Sequence, residues 1–283
     1  MTTISATSIL ASRHAVTGDR LDTLLLRYPL VIHAEFMTHR VFSRNAASAR
    51  AIPVAKLIAD VENDPFVPLV WTKNEKGMQG REELIDVALS NAKWDWMAAK
   101  YHAVAQAKKL ADTGAHKQIV NRLLAPFAHI TVVVSSTDWS GFLAQRDHAD
   151  AEPHMQMLAR EIRKALDDPQ LQVLAPGEWH LPFIDPKEFN PHDMEGMKRL
   201  SVARCASTSY KTVDGFDMDI DRATEIYGKL LNADPIHASP FEHVAQADDL
   251  ITHGGYSMGY RHDKQHRNFT GFRQLRAMIE DEK

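Results

Sequence analysis

Within thirteen residues, the segment Thr38-His39-Arg40-Val41-Phe42-Ser43-Arg44-Asn45-Ala46-Ala47-Ser48-Ala49-Arg50 carries three arginines, two serines, an asparagine and a histidine. Guanidinium groups present planar forks of N–H donors that match phosphate or carboxylate. Hydroxyls and amides can read a sugar or a base edge. By composition alone the segment reads either as a solvated charged loop or as a binding loop for a small anionic ligand.

Three further segments carry polar chemistry. Asn121-Arg122-Leu123-Leu124-Ala125-Pro126 places an arginine on a helical stretch, which by itself reads as a surface side chain. Arg146-Asp147-His148-Ala149-Asp150-Ala151-Glu152 precedes a helix opened by Pro153. His237-Ala238-Ser239-Pro240-Phe241-Glu242-His243 lies beyond Ala203-Arg204-Cys205-Ala206-Ser207-Thr208-Ser209-Tyr210. The fifteen histidines invite a metal reading, with His262 and His266 at helical spacing and His148, Asp150 and His154 clustered. No H-E-x-x-H is present and one cysteine cannot build a thiolate site, so no metal is expected. Cys205, in an alanine-rich stretch, reads as inert packing rather than as a nucleophile. The 13 glycines form neither a G-x-G-x-x-G nor a Walker loop, and no G-x-S-x-G is present.

Together these segments resemble the flavin-dependent thymidylate synthases. That family's signature, R-H-R-x-x-S-x-N-E-x-S-x-R, is matched at His39, Arg40, Ser43, Asn45, Ser48 and Arg50, and departed from at Thr38 and Ala46. Pro29 to Phe36 is similar to the lead-in strand, with Glu35 where Gln is usual. Arg122 matches the arginine of an A-R-x-x-L-P helix, and Arg146 that of L-R-x-D-x-H-A-Q, with Gly141 where an Asn is usual. His237–His243 resembles H-x-S/T-P-F-E-H, and Ser209 falls on the serine of A-R-V-S-Y. In the family's common order the last two elements come first, so the resemblance implies a circular permutation, which surface termini tolerate.

The resemblance implies reductive methylation of dUMP, or action on another pyrimidine deoxynucleotide, with FAD, NADPH and methylenetetrahydrofolate. Arg146 would activate the base, and Glu35, Ser48, Arg50 and Arg122 would hold the nucleotide. His39, Arg40, Ser43, Asn45, Ser209, His237, Ser239 and Glu242 would line the flavin. It also implies a homotetramer with sites between subunits. A hydroxymethylase of the same family, or an inactive flavin- or nucleotide-binding homologue, are the alternatives.

The elements that must position these residues read as α/β (α+β), a small mixed sheet with helical layers. Leu24 to Ile32 reads as buried extended or mixed structure, Pro65–Arg81 as a loop, and Ile130–Val134 as a buried strand or helical segment. Leu84, Val87, Trp94, Met97, Tyr101 and Val104 mark one stripe of a helix ended at Gly114. A helix spans His116–Leu124, stopped by Pro126. Another begins at Pro153 with a stripe of Met155, Leu158, Ile162 and Leu166. Five prolines between Pro169 and Pro191 mark an irregular connection near 169–198 joining the permuted halves of a single 1–283 domain. A helix follows near Asp219–Asn232, and the Arg- and His-rich tail from Gly254 has no counterpart in the family. Of 283 residues, 44% are hydrophobic and 25% charged, with net charge −4. That balance disfavours nucleic acid as a partner. With one cysteine, no signal peptide and no apolar run long enough for a bilayer, a cytoplasmic chain without membrane contact is expected.

Overall fold

The computed structural model describes residues 4–46, 48–77, 80–167, 170–207, 218–254 and 256–282. In chain order the first half runs β1 (Ser5–His14), β2 (Arg20–Pro29), α1 (His33–Phe36), β3 (Ser43–Ala46), α2 (Val54–Asn63), α3 (Asp86–Asp112), α4 (Lys117–Val120), β4 (His129–Ser136), α5 (Ser140–Arg146) and α6 (Pro153–Asp167). The rest comprises β5 (Leu171–Leu174), β6 (Trp179–His180), α7 (Met194–Ser207), α8 (Ile220–Leu231), β7 (Ala245–Ala247), β8 (Leu250–His253), β9 (Tyr256–Tyr260), β10 (Phe272–Gln274) and α9 (Leu275–Asp281). Short 3-10 turns at Leu30–Ile32, Asn121–Phe127, Ser239–Glu242 and Asp263–His266 join them.

The fold is mixed α/β. Its main sheet has the order β3-β4-β2-β1-β5, antiparallel except for the parallel β1–β5 pair. Strand β4 is buried on both faces, with Val132, Val133 and Val134 all at 0% exposure, which is why its sequence is a continuous β-branched run rather than an alternating one. One face packs Leu24, Leu26, Val132 and Val134 against Met155, Leu158 and Ile162 of α6 and the aromatic group Phe36, Phe42, Trp139 and Phe142. A separate cluster joins α7 and α8 through Leu200, Val202, Ala203, Ala223 and Phe241. Leu21, Leu174, Ala245, Ala247, Phe269 and Phe272 pack the main sheet onto a second one of order β10-β7-β6.

Several expected elements are present. Pro153 opens α6 and Met155, Leu158 and Ile162 form its buried stripe. Gly114 follows α3 with φ 82, a left-handed conformation that favours glycine at a helix end. Asp219 caps α8 by accepting the Arg222 N–H. The Pro-rich connection, expected to be irregular, holds β5 and β6, each in a different sheet.

Further readings are corrected. The helix expected over His116–Leu124 and stopped by Pro126 is the four-residue α4 followed by the Asn121–Phe127 3-10 turn, which contains Pro126. The expected α3 stripe holds only in part: Val104 is buried and Met97 half-buried, but Val87, Trp94 and Tyr101 are 71%, 71% and 63% exposed, Leu84 precedes the helix, and Lys100 and Ala107 are buried with Val104. Its packing surface also uses Ala103 and Ala111, small residues that let α2 and the Asn121–Phe127 turn approach closely. The Pro29–Phe36 strand stops at Pro29. Pro29 pairs with His129 at the end of the β2–β4 ladder, and the chain then turns into a 3-10 turn and α1. No described helix is long and apolar enough to cross a membrane.

Buried imidazoles should make the stability of this fold fall in mild acid. Burial pushes His180 and His243 down to about 3, and burial with Arg27 pushes His129 down to about 4. Unfolded histidines titrate near about 6.5, so below that pH the unfolded chain binds more protons than the folded one. The stability from keeping these rings neutral is whole above pH about 6.5 and is lost as pH falls toward the folded values. Urea unfolding should therefore show stability dropping between pH about 6.5 and 5, before most carboxylates titrate. His180→Gln should flatten that slope; an unchanged slope would contradict the assignment.

Candidate active site

Strand β3 lies at the edge of the main sheet, paired with β4 from Ser43↔Ser135 to Ala46↔Val132. Its Asn45 faces the second half of the chain. The Asn45 Nδ2–H donates to the Cys205 carbonyl at 2.8 Å, and Asn45 Oδ1 accepts the Ser239 hydroxyl at 3.3 Å. One amide thus joins the arginine-rich segment to the end of α7 and to the Ser239–Glu242 turn. Beside it opens a cavity of about 600 Å³. Asn45, Ala46, Ser48, Arg50, Ala51 and Gln118 line one side, and Ala206, Leu230, His237, Ser239 and Pro240 line the other. Convergent polar groups on an apolar floor are the usual make-up of a small-molecule site.

Packing fixes the Ser239–Glu242 turn. Pro240 stands at its second position, and buried Phe241 meets Tyr227 of α8 edge-on at 5.1 Å. Glu242 is paired with Arg276 of α9, which also donates to Glu280 at 2.9 Å.

Arg146 organises a second polar cluster. Its Nε–H donates to His39 Nε2 at 2.9 Å, and its terminal nitrogens reach Glu35 at 3.3 Å and Thr38 Oγ1 at 3.4 Å. The first bond requires a lone pair on His39 Nε2. Burial, then Arg146 and Arg44, lower the pKa of His39 and keep that ring neutral. Arg44 donates to the carbonyls of Met37 and His39, at 3.0 and 3.1 Å, which shapes the turn into β3. The His39 ring packs edge-on against Phe142 of α5 at 4.9 Å.

The expected site residues therefore divide. Asn45, Ser48, Arg50, His237 and Ser239 share the cavity. Glu35, Thr38, His39 and Arg146 form their own cluster, and none of them lines it. Arg122 is exposed, with its Nε–H on the Gln118 carbonyl at 3.1 Å, and Arg40 is exposed as well. Ser43 is buried and turned to the tail, and Ser209 lies outside the described residues. Cys205 is a buried thiol whose pKa burial pushes up, disfavouring a nucleophilic role.

Gln118, Arg44 and the C-terminal tail were not singled out by sequence. Gln118 precedes Arg122 by one helical turn, a spacing that offered a signal. The tail offered none, yet it braces the arginine-rich segment. Asn268 Nδ2–H donates to the Val41 carbonyl at 2.8 Å, and Gln274 Nε2–H reaches Asn268 Oδ1 at 2.6 Å and Ser43 Oγ at 3.3 Å. His262 and His266 of the tail both bond the buried Asp248, at 2.6 and 2.9 Å. His154 bonds Glu152 at 2.6 Å and accepts the Leu69 N–H at 2.9 Å. Among the described residues no group of three or more His, Cys, Asp or Glu side chains could hold a metal ion.

No protein-family model matches the chain, and no curated protein matches it by sequence. Among solved structures it is similar to the UMP/dUMP methylase PolB from Streptomyces cacaoi bound with 5-Br UMP. The two are 15% identical with a TM-score of 0.47, over 59% of this chain and 89% of that one. It is also similar to the flavin-dependent thymidylate synthase ThyX from Helicobacter pylori complexed with FAD and dUMP. Here identity is 18% and the TM-score 0.36, over 52% of this chain and 67% of that one.

The tail brace is testable. Asn268→Ala removes the bond to the Val41 carbonyl and should destabilise the fold by about 1–2 kcal/mol, with faster amide exchange in the 41–46 segment. Unchanged exchange there would show that the tail does not hold it.

Proposed function

We propose that this chain is a flavin-using enzyme that adds one carbon to the pyrimidine ring of a deoxynucleotide, in its first form the reductive methylation of dUMP. One observation carries the reading. Ser48 and Arg50 of the arginine-rich segment and His237 and Ser239 of the distant turn line a single cavity, the pairing that the motif resemblance requires. The permuted motif order is part of the same proposal.

The residues suit the groups involved. A planar heteroaromatic ring needs a concave apolar bed with hydrogen-bonding groups at its edges. Leu230 and Pro240 supply the bed, and Asn45, His237 and Ser239 the edge groups. Arg50, Ser48 and Gln118 are placed to bind phosphate and sugar oxygens. Bound FAD reduced by NADPH would supply electrons, and methylenetetrahydrofolate the carbon. The protein contributes position and field: a guanidinium against the pyrimidine stabilises a developing anion without losing its own proton. Arg146 is our candidate for that role. Because it lies outside this chain's cavity, it would act on the site of a neighbouring copy in a homotetramer, and exposed Arg122 would reach a phosphate the same way.

Hydroxymethyl transfer is the second reading, motivated by the departures from the resembled signature at Thr38 and Ala46. Where the resembled signature has arginine, Thr38 offers a hydroxyl, bonded to the Glu35 carbonyl at 2.7 Å. That removes one cation from the neighbourhood of Arg146.

Incubation with FAD, NADPH, methylenetetrahydrofolate and dUMP or dCMP, followed by product mass, tests both readings. A methyl product supports the first and a hydroxymethyl product the second. No product from either nucleotide, with flavin left reduced, would sink both. Arg50→Ala should lower kcat/KM by about 10- to 100-fold, the loss of a charge-assisted hydrogen bond. Arg146→Ala should abolish turnover with the fold intact.

A further inference from the structure

Helix α3 carries apolar residues on two opposite faces, and within the chain one of them stays largely open. The inner face, with Trp96, Ala103, Val104, Ala107, Leu110 and Ala111, packs on α2 and the Asn121–Phe127 turn. The outer face presents Val87, Trp94 and Tyr101, spaced seven residues apart and all exposed. Asn91, Ala98 and Ala105 follow each of them by four residues and complete the row.

A surface helix needs one apolar stripe, turned to its own core. Single exposed apolar side chains are ordinary, but a row kept at alternating steps of four and three is not scatter. Such a row repeats about every 3.5 residues, the spacing with which one helix follows another along its length. From Val87 to Ala105 it runs about 27 Å. The alanines stand between the large side chains, which leaves room for rings from a facing helix and for a close approach of the two axes. Tyr101 is held ready for such a contact. The Lys100 ammonium lies 3.9 Å from the centre of its ring, so less side-chain freedom is lost on association.

Charge selects the partner and its direction. Apart from Lys93, the charged residues in the first half of α3 are acidic, Asp86 and Asp95. Those of the second half are Lys100, His102, Lys108 and Lys109, before the closing Asp112. A second α3 running antiparallel sets acidic half on basic half and opposes the two helix dipoles; a parallel one sets like on like. Asp95 and His102 flank the stripe on the same side. Both are exposed, and neither forms an ion pair among the described residues. A two-fold axis between antiparallel helices brings each flank onto its own copy. Asp95 of each copy then meets His102 of the other, a carboxylate that only accepts against a ring that donates in either protonation state. That register puts the two-fold beside Ala98 and lays each Trp94 over Ala98, Tyr101 and Ala105 of the other copy.

We propose that the outer face of α3 is a self-association surface, on which two copies of this chain pair their α3 helices antiparallel about a two-fold near Ala98. The pairing goes beyond the catalytic reading and stands on the helix alone. An enzyme whose cavity is completed by a neighbouring copy would use it as one contact, and a closed tetramer would need a second, different one.

Sedimentation equilibrium of the full chain at micromolar concentration, without flavin or nucleotide, tests the surface. The unmodified chain should associate. Trp94→Glu should weaken association by about 30-fold, because it places a charge at the centre of the contact. His102→Asp should weaken it by about tenfold by setting it against Asp95, and Asp95→Lys added to His102→Asp should restore it. Mild oxidation should link Ala98→Cys chains into dimers. It should leave Val87→Cys chains unlinked, since their thiols stand about 35 Å apart along paired helices. The native thiol, Cys205, is buried. A monomeric unmodified chain would assign the face to a different partner and overturn the proposal. So would an assembly that Trp94→Glu leaves at full mass, a double variant no stronger than His102→Asp, or Val87→Cys chains that link to each other. The cross-links stand even if Trp94→Glu does not fold. None of these readouts requires flavin or turnover, so the pairing and the catalytic reading fail separately.

Discussion

The site is held together by the carboxamide of Asn45. Strand β3 has four residues at the edge of a five-stranded sheet, with β4 as its one strand partner. What fixes its other side is an amide that donates to a carbonyl 160 residues away and accepts from a hydroxyl 194 residues away. The bifunctional amide matters. A carboxylate would lose the donor to Cys205 and an aliphatic side chain would lose both bonds. Each bond contributes only about 1 kcal/mol net, so the joint holds by geometry more than by energy. Among the described residues, it is the hydrogen-bonded side-chain link between the arginine-rich segment and the 237–243 turn at the cavity.

Around that joint the chain is braced by groups that do no chemistry of their own. Asn268 and Gln274 hold Val41 and Ser43 from the tail side. Arg276 holds Glu242, so a residue expected at the flavin also anchors α9 to the turn. The cations then fall into two places. Arg50 stands at the cavity, whereas Arg146 is held by Glu35, His39 and Thr38 at the end of α5. A site assembled from copies would bring both kinds together, and this arrangement is what makes an oligomer a mechanistic requirement of the proposal.

What could be read from sequence follows physical range. The β4 run, the α6 stripe and the Gly114 terminus depend on neighbours within a few residues, and all are present. The face of α3 was misread because the stripe was drawn through Val87, Trp94 and Tyr101, while its contacts are made by Trp96, Ala103, Val104, Ala107, Leu110 and Ala111. Ser43 and Glu242 sit in motif positions, but their partners lie in the tail, and no local pattern specifies a partner more than 30 residues distant. The convergence at Asn45 was accessible only through motif resemblance, since nothing in the spacing of residues 45 and 239 brings them together.

The most direct test of the central claim is a double-mutant cycle in FAD affinity, read from flavin fluorescence quenching, with Asn45→Ala and Ser239→Ala alone and together. If the two segments form one binding site through this joint, quenching occurs and the pair is non-additive, with a coupling of about 0.5–2 kcal/mol. Additive effects of the two substitutions, or no quenching by the unmodified protein, would contradict the account.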